Sequence, residues 1–131
     1  AGLVPDGWIW SWDRHGAPQL NKRFLRKAKR WMTAYDWSAW MAVKTIGEAV
    51  QRTNSSEFKL IRDYLLGDEI ILDGFKGYPL SFRDWNRQLR QPVFLTTTNW
   101  VVARAPLEGF LHEKNNLDTL GLDRKETRCE L

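Results

Sequence analysis

The sequence predicts a mixed α/β domain in which a strand end is followed by three helices, a run of strands and an irregular tail. Residues 18–66 have helical periodicity, because their apolar side chains recur every three or four positions. After Glu69 the period changes to the alternation of strands, with turn signals at Asp73-Gly74 and Lys76-Gly77. Residues 105–131 have no sustained period, so we expect an irregular tail that lies over a surface.

The chain begins with a pattern that is typical of a strand end and an aromatic loop. Trp8, Trp10 and Trp12 alternate, and Gly16 and Pro18 then mark the start of a helix. Two interpretations of the alternation stay open at this point. Either the rings line a binding surface, or they alternate between the core and the solvent.

The first helix is predicted from about Pro18 to Trp31, and one face of it is basic. Its apolar stripe consists of Leu20, Phe24, Ala28 and Trp31. The basic cluster consists of Lys22, Arg23, Arg26, Lys27, Lys29 and Arg30. We interpret the cluster as the solvated face of an amphipathic helix. A nucleic-acid interface is the alternative, but no recognisable nucleic-acid motif accompanies the cluster, so we expect no nucleic-acid partner.

Two further helices are predicted. The second begins near Thr33, because Thr33 and Asp36 have the spacing of a capping box with Asp in place of Glu. More than half of its circumference is apolar, so we expect it to be covered on two sides. The third spans about residues 56–66, is capped by Asn54 or Ser55 and stops at Gly67. Its expected core stripe consists of Phe58, Ile61 and Leu65.

Strands are predicted in the second half of the chain. Tyr78, Leu80 and Phe82 alternate with other residue types, which indicates one buried face. Pro79 cannot donate to a strand ladder, so we expect an edge position there. Residues 93–95 and 100–103 predict either a short hairpin or one long strand.

Length and composition suit a single domain. The chain has 131 residues, of which 43% are hydrophobic, and no apolar run approaches the roughly 20 residues of a membrane span. Cys129 is the only cysteine, so it is either a free thiol or forms a bridge to a partner or to an absent N-terminal part. Residues 1–10 lack Met and a signal peptide, and we therefore expect a fragment or a processed chain.

No catalytic constellation is evident, so we expect a protein that is not an enzyme and has no cofactor. His15 and His112 are the only histidines, and neither lies in a motif with an oriented nucleophile. The stretch HEKNN lacks the second histidine of the H-E-x-x-H zinc motif, and no metal site is predicted. A hard-cation site shared with further polypeptide is the alternative left open; its carboxylates would be Asp118, Asp123 and Glu126.

The aromatic loop gives the strongest signal for a binding site. Aromatic walls with a few polar groups are typical of small-molecule sites. Asp36 is a further candidate because it opens a helix, although helix capping explains it as well. The predicted ligand-binding residues are Trp8, Trp10, Trp12, Asp13, His15 and Asp36.

The stretches SFRDWNRQLRQP (81–92) and LDTLGLD (117–123) resemble one protein family. It is the periplasmic substrate-binding proteins of ABC transporters associated with PQQ-dependent alcohol dehydrogenase systems, divergent relatives of the leucine/isoleucine/valine-binding proteins. The resemblance extends over nearly all of residues 1–131 but corresponds to about the C-terminal third of a typical member. It implies the C-terminal part of a type I periplasmic-binding-protein fold, in which two Rossmann-like lobes hold a ligand in the cleft between them.

The resemblance implies a solute-binding protein of the Gram-negative periplasm that delivers its solute to an ABC permease. The dehydrogenases of such systems use calcium or a lanthanide, so the solute is expected to be an organic compound or a metal. The missing N-terminal part would complete the cleft, either in the same polypeptide or as a separate chain. An interaction module that binds a partner through its tryptophans is the alternative from another class.

Three arginines surround a tryptophan within residues 81–92. Arg83, Arg87 and Arg90 flank Trp85 immediately before a predicted strand. Guanidinium groups stack on aromatic rings and pair with carboxylates. We therefore expect these arginines to brace strand ends against acidic neighbours rather than to bind an anion.

Overall fold

The computed structural model of the chain describes residues 2–129. One short strand precedes the three helices and five strands follow them within this range, so the predicted mixed helix-and-strand class is confirmed. The elements in order are β1 (Val4–Asp6), α1 (Ala17–Ala28), α2 (Ala34–Thr53), α3 (Phe58–Leu66), β2 (Leu72–Asp73), β3 (Pro79–Phe82), β4 (Leu89–Arg90), β5 (Val93–Thr96), β6 (Val101–Ala105) and a 3₁₀ turn (Asn116–Thr119).

The strands form two antiparallel sheets, with the strand orders β1-β5-β6 and β2-β3-β4. In the first sheet, Leu95 of β5 lies opposite Pro5 on one side and Ala103 on the other. The hairpin interpretation of residues 93–103 is therefore confirmed. Parallel pairing, which Rossmann-like lobes require, does not occur among residues 2–129.

The edge position expected from Pro79 is wrong. Strand β3 lies between β2 and β4, and Pro79 is its first residue, opposite Asp73. A proline at the first position of a strand is tolerated, since the ladder bonds form at the residues that follow it. Leu80 is fully buried, as the alternation predicted.

Helix α1 ends earlier than the periodicity predicts. Lys29 adopts a left-handed conformation with φ 58°, and its N–H donates to the carbonyl of Leu25, which closes the helix before Trp31. Leu20 faces the core, and the side chains of the basic cluster are exposed. No helix among residues 2–129 combines the length and the apolarity needed to cross a membrane.

Helix α2 begins with the predicted capping box. The Thr33 hydroxyl accepts the Asp36 N–H, and the Asp36 carboxylate accepts the Thr33 N–H at 2.9 Å. The Arg30 guanidinium donates to Asp36 at 2.6 Å and, with the Thr33 bonds, holds the pKa of that carboxyl well below its usual range. Cover on two sides was expected, but Val43 and Ile46 are 72% and 55% exposed, so in the described part of the chain one face is open.

Helix α3 packs more loosely than the sequence predicts. Its N-cap is Glu57 rather than Asn54 or Ser55, although the Ser55 hydroxyl accepts the Glu57 N–H at 3.0 Å. None of its residues is buried, and Phe58 of the predicted stripe is 75% exposed. Leu65 does pack against the core, as expected.

The core is built around stacked indole rings. Trp8 stacks on Trp37 with ring centroids 5.9 Å apart and meets Phe94 edge-on at 6.3 Å. The Trp8 indole N–H donates to the buried amide of Asn21 on α1 at 3.0 Å. One cluster therefore joins the residues after β1, both long helices and β5.

The backbone of the turn at residues 73–77 accepts hydrogen bonds from four side chains. The backbone carbonyls of residues 73, 74, 75 and 76 accept, in order, from Lys44, Trp37, Trp12 and Arg104. The turn can present successive carbonyls because Phe75 and Gly77 both have positive φ, 59° and 79°. The Asp73 carboxylate supports it by accepting the Phe75 N–H at 2.8 Å.

Two of the three arginines around Trp85 brace the tail. Asp118 is buried and accepts from Arg83 Nε at 3.0 Å and from Arg90 Nε at 2.8 Å. Both guanidinium groups also lie over the Trp85 ring, at 5.4 and 5.3 Å from its centroid. The tail is thus irregular, as predicted, but it is fixed to the second sheet; Arg87 is exposed and takes no part.

We expect Asp118→Asn to lower the free energy of unfolding by roughly 3–5 kcal/mol, because two buried or half-buried guanidinium groups lose their counter-charge. Denaturant titration followed by circular dichroism measures the change. The matched control is Asp84→Asn, whose ion pair with Arg124 is more than half exposed and is worth about 1 kcal/mol or less. Equal losses in the two variants would contradict the bracing role of Asp118.

Lys76 is fully buried in the core. Its ammonium nitrogen lies 3.6 Å from the centroid of the Trp37 ring and donates to Gln91 Oε1 at 2.6 Å. Burial lowers the pKa of Lys76 to about 7, and the charge of Asp6 acts in the opposite direction. The folded state therefore holds this lysine neutral at a pH where an unfolded chain keeps it protonated.

We expect the free energy of unfolding to rise with pH between about 7 and 10, because over this window the unfolded state binds one more proton at Lys76 than the folded state. The slope from this group is roughly 1 kcal/mol per pH unit. Lys76→Met should remove it, and Lys59→Met on exposed α3 should keep it. Denaturant titrations at pH 7, 8 and 9 decide; parallel profiles for the wild type and Lys76→Met would refute the prediction.

Candidate functional site

A groove lies between the aromatic loop (residues 7–16) and strand β6. Its volume is about 420 Å³, and it is lined by residues 11–15 of the loop and 100–104 of the hairpin. Two segments far apart in the sequence meet here because β5 pairs with both β1 and β6. Sheet pairing thus brings the aromatic loop next to the β5–β6 hairpin.

Arg104 is held in place at this groove by a backbone carbonyl and two aromatic rings. Its Nη1 donates to the carbonyl of Lys76 at 2.7 Å. Its guanidinium lies 4.7 Å from the Tyr78 ring centroid and 5.9 Å from that of Trp12. No Asp or Glu forms an ion pair with it within residues 2–129. The result is a positioned positive charge between two aromatic rings.

The imidazole of His15 lies next to the Arg104 guanidinium. Its Nε2 lies 3.2 Å from Arg104 Nη1. A guanidinium can only donate, so a hydrogen bond between the two groups requires the tautomer in which Nε2 accepts and Nδ1 carries the ring proton. The backbone of His15 has φ 54°, a left-handed conformation in which His, like Asn and Asp, is enriched among the residues other than Gly.

Gly77 leaves the space that this pair occupies. Its φ is 79°, and a Cβ built on it would overlap both Arg104 Nη1 and His15 Nε2. Any other residue would therefore have to displace the two side chains as well as strain the backbone. The positive φ of Gly77, the left-handed backbone of His15 and the hydrogen bonds of Arg104 therefore fix the position of the Arg104 and His15 side chains next to each other.

A second, more open groove adjoins the first. It has a volume of about 560 Å³ and includes Lys44, Glu48 and Arg52 of α2, residues 71–73, and residues 77–79. His15 lines both grooves, so its imidazole forms part of the wall between them. Lys44 is restrained over the Phe75 ring, with its nitrogen 5.2 Å from the centroid.

The structure brings together half of the predicted ligand-binding residues. Trp12, Asp13 and His15 line the first groove. Trp8, Trp10 and Asp36 do not. Their places are the core for Trp8, a half-exposed stack on Trp31 with ring centroids 5.0 Å apart for Trp10, and the capping box for Asp36. Whether any of them contacts a ligand stays a prediction.

Several residues of the site were not predicted, among them Arg14, which follows the predicted Asp13 directly. Arg104 is the one charged residue of VVARA in β6, a signal that could have singled it out from the sequence. Trp100 is 72% exposed at the mouth of the groove, and its position just before that strand gave a weaker signal. Gly77 was interpreted only as a turn residue, since its contact with Arg104 and His15 is a tertiary feature.

The chemistry available at the groove is that of binding groups. Asp13 supplies a carboxylate, Arg14 and Arg104 supply guanidinium groups, and His15 supplies an Nδ1–H donor. Ser11 Oγ is buried without a hydrogen-bond partner among residues 2–129. Within the same range, no group of three or more His, Cys, Asp or Glu side chains is placed to hold a metal ion. Cys129 is a free, exposed thiol.

Comparisons of the chain with protein-family models, with curated proteins and with solved structures give no match. The class that the fold and the groove define is a mixed helix-and-strand domain with antiparallel sheets and a basic, aromatic groove. The family resemblance of residues 81–92 and 117–123 stays a prediction.

We expect Gly77→Ala to lower the free energy of unfolding by roughly 1 kcal/mol more than Gly109→Ala does, because the ends of the Arg104 and His15 side chains have to move aside. Both glycines have positive φ, 79° and 87°, but a Cβ at Gly109 meets nothing within 4 Å. The control therefore isolates the backbone cost, and the excess measures the overlap with Arg104 and His15. Denaturant titration gives both values, and equal losses would show that the pair does not depend on the glycine.

Proposed function

We propose that the chain belongs to the solute-binding component of an ABC transporter linked to PQQ-dependent alcohol oxidation. In this proposal it acts in the periplasm, binds a small solute in a cleft and presents it to the permease, without catalysing a reaction. The resemblance of residues 81–92 and 117–123 to that family supplies the transporter context.

The groove between the aromatic loop and β6 is the observation that carries the proposal. Solute sites combine an apolar or aromatic wall with a few polar groups held in fixed positions. Trp12 and Trp100 supply the wall, and Arg104 and His15 supply the polar groups. The volume of about 420 Å³ suits a small molecule rather than a polymer.

The proposal makes this groove one wall of a larger cleft. In the fold that the sequence resembles, a ligand lies between two lobes, and closure of the lobes excludes water from it. The half-open shape of the groove agrees with a site that a second lobe would cover. That lobe would lie in polypeptide outside residues 1–131, in the same or a separate chain.

A second candidate is an interaction module that binds another polypeptide. It is favoured by the apolar side chains that α2 and α3 expose, among them Val43, Ile46 and Phe58. The same surface would be covered in the first proposal by the rest of a two-lobed protein. Solute binding and complex formation therefore have to be measured separately.

We expect the protein expressed from its complete reading frame to bind at least one solute of a defined panel: acetate, lactate, PQQ, Ca²⁺ and La³⁺. Isothermal titration calorimetry measures the affinity. Trp100→Ala should weaken binding by roughly 1–3 kcal/mol, because the exposed ring then no longer shields the bound solute from water. The same assay with Trp10→Ala tests the half-exposed tryptophan of the aromatic loop.

The control is Tyr35→Ala, an aromatic residue that is 89% exposed on α2 and lines neither groove. Its affinity should equal that of the wild type. Failure of every panel member to bind, together with a stable complex with another polypeptide in size-exclusion chromatography with light scattering, would reject the solute-binding proposal in favour of the interaction module.

A further inference from the structure

We infer that the groove binds the carboxylate of a small organic acid, with Arg104 as the anchor and His15 as a second donor. The inference specifies the solute class for the proposed transporter function and rests on that function for its biological context. Binding of a carboxylate at Arg104 is nevertheless a local property that can be measured separately.

Arg104 has the features of a prepared anion site. One of its amino groups, Nη1, is engaged by the Lys76 carbonyl and by His15, which fixes the plane of the guanidinium. Its Nε and Nη2 donate to no acceptor within residues 2–129. Two parallel N–H groups on one edge match the two oxygens of a carboxylate. Because the Tyr78 and Trp12 rings already restrain the side chain, little freedom is lost on binding.

His15 adds a donor beside this edge. In the tautomer in which Nε2 accepts from Arg104, Nδ1 carries the ring proton and can donate it to an incoming oxygen. The backbone of His15 is left-handed, with φ 54°, and its ring lies beside Arg104. Gly77 leaves room for the same ring, because a Cβ at this position would overlap His15 Nε2. The imidazole is therefore held next to the Arg104 guanidinium.

The charges and walls of the groove restrict the ligand further. Arg14 and Arg104 outnumber Asp13, so the lining has an excess of one positive charge and favours an anion over a cation. Trp100 offers an exposed apolar surface for a short carbon chain. The carboxylate of Asp13 favours an acid that also has a hydroxyl or ammonium donor. A small hydroxy acid satisfies all these groups.

The test is a site-resolved titration by nuclear magnetic resonance with the complete protein, following the Arg104 Nε–H signal and the His15 ring signals. The probes are sodium acetate and sodium lactate, with acetamide and lactamide as uncharged matches and sodium phosphate as an inorganic anion, all at constant ionic strength. We expect saturable shifts with the two carboxylates and none with the amides.

Four variants separate the contributions. Arg104→Gln should weaken lactate binding by roughly 10- to 100-fold, because a charged hydrogen-bond donor is lost. Arg104→Lys keeps the charge but not the paired N–H groups and should give an intermediate loss. His15→Asn tolerates the left-handed backbone and removes only the imidazole, so a smaller loss is expected. Arg62→Gln, on exposed α3, is the control and should change nothing. Circular dichroism verifies the fold of each variant.

The outcomes distinguish this inference from the solute-binding proposal. No saturable shift at Arg104, equal affinity in the wild type and Arg104→Gln, or tighter binding of phosphate than of lactate would each overturn the carboxylate assignment. Calorimetric binding of PQQ or a metal ion without a shift at Arg104 would overturn it and leave solute binding in place. Saturable lactate binding that is lost in Arg104→Gln, when no panel solute binds tighter than about 1 mM, would support the carboxylate site and reject the transporter role.

Discussion

The fold depends on the need to satisfy buried indole and guanidinium donors with backbone carbonyls. A buried N–H without an acceptor costs about 1–3 kcal/mol, so each large polar-tipped side chain in the core needs an acceptor. Trp8 and Lys76 use the side-chain amides of Asn21 and Gln91, and other donors need backbone carbonyls that no strand or helix already uses. The turn at residues 73–77 provides them. Its successive carbonyls accept from α2, the aromatic loop and β6. Helix α2, the aromatic loop and strand β6 are thereby all held to one short segment.

This arrangement explains why the candidate site lies where it does. Trp12 and Arg104 come from opposite ends of the chain, yet they donate to the adjacent carbonyls of Phe75 and Lys76. Their groups are therefore fixed side by side at the surface of the turn, and His15 follows Trp12 by three residues. The tail is anchored independently, through Asp118 and the two arginines that stack on Trp85. Site and tail thus have separate sources of rigidity.

Local patterns predicted much of the fold, and tertiary geometry decided the rest. The helix order and the capping box of Thr33 and Asp36 follow from spacing and turn chemistry, which the sequence displays directly. For residues 93–103 the sequence left a hairpin and one long strand open, and the pairing of β5 with β6 decides for the hairpin. The position of β3 between two strands does not follow from spacing, because pairing partners are set by the whole sheet. The aromatic loop was identified as a site, but periodicity could not say that Trp8 points into the core while Trp12 reaches the groove. Arg104 was missed because only the sheet pairing brings it near His15.

Lys76 takes part in both the core and the groove. Its side chain lies against Trp37 and Phe94 in the core, while its backbone carbonyl binds Arg104 at the groove. Burial of a lysine nitrogen costs free energy unless the nitrogen has interaction partners. Here the partners are Gln91 and the Trp37 ring. Those partners fix the position of the residue, and hence of the carbonyl that orients Arg104. The packing of Lys76 in the core therefore also determines the geometry of the candidate anion site.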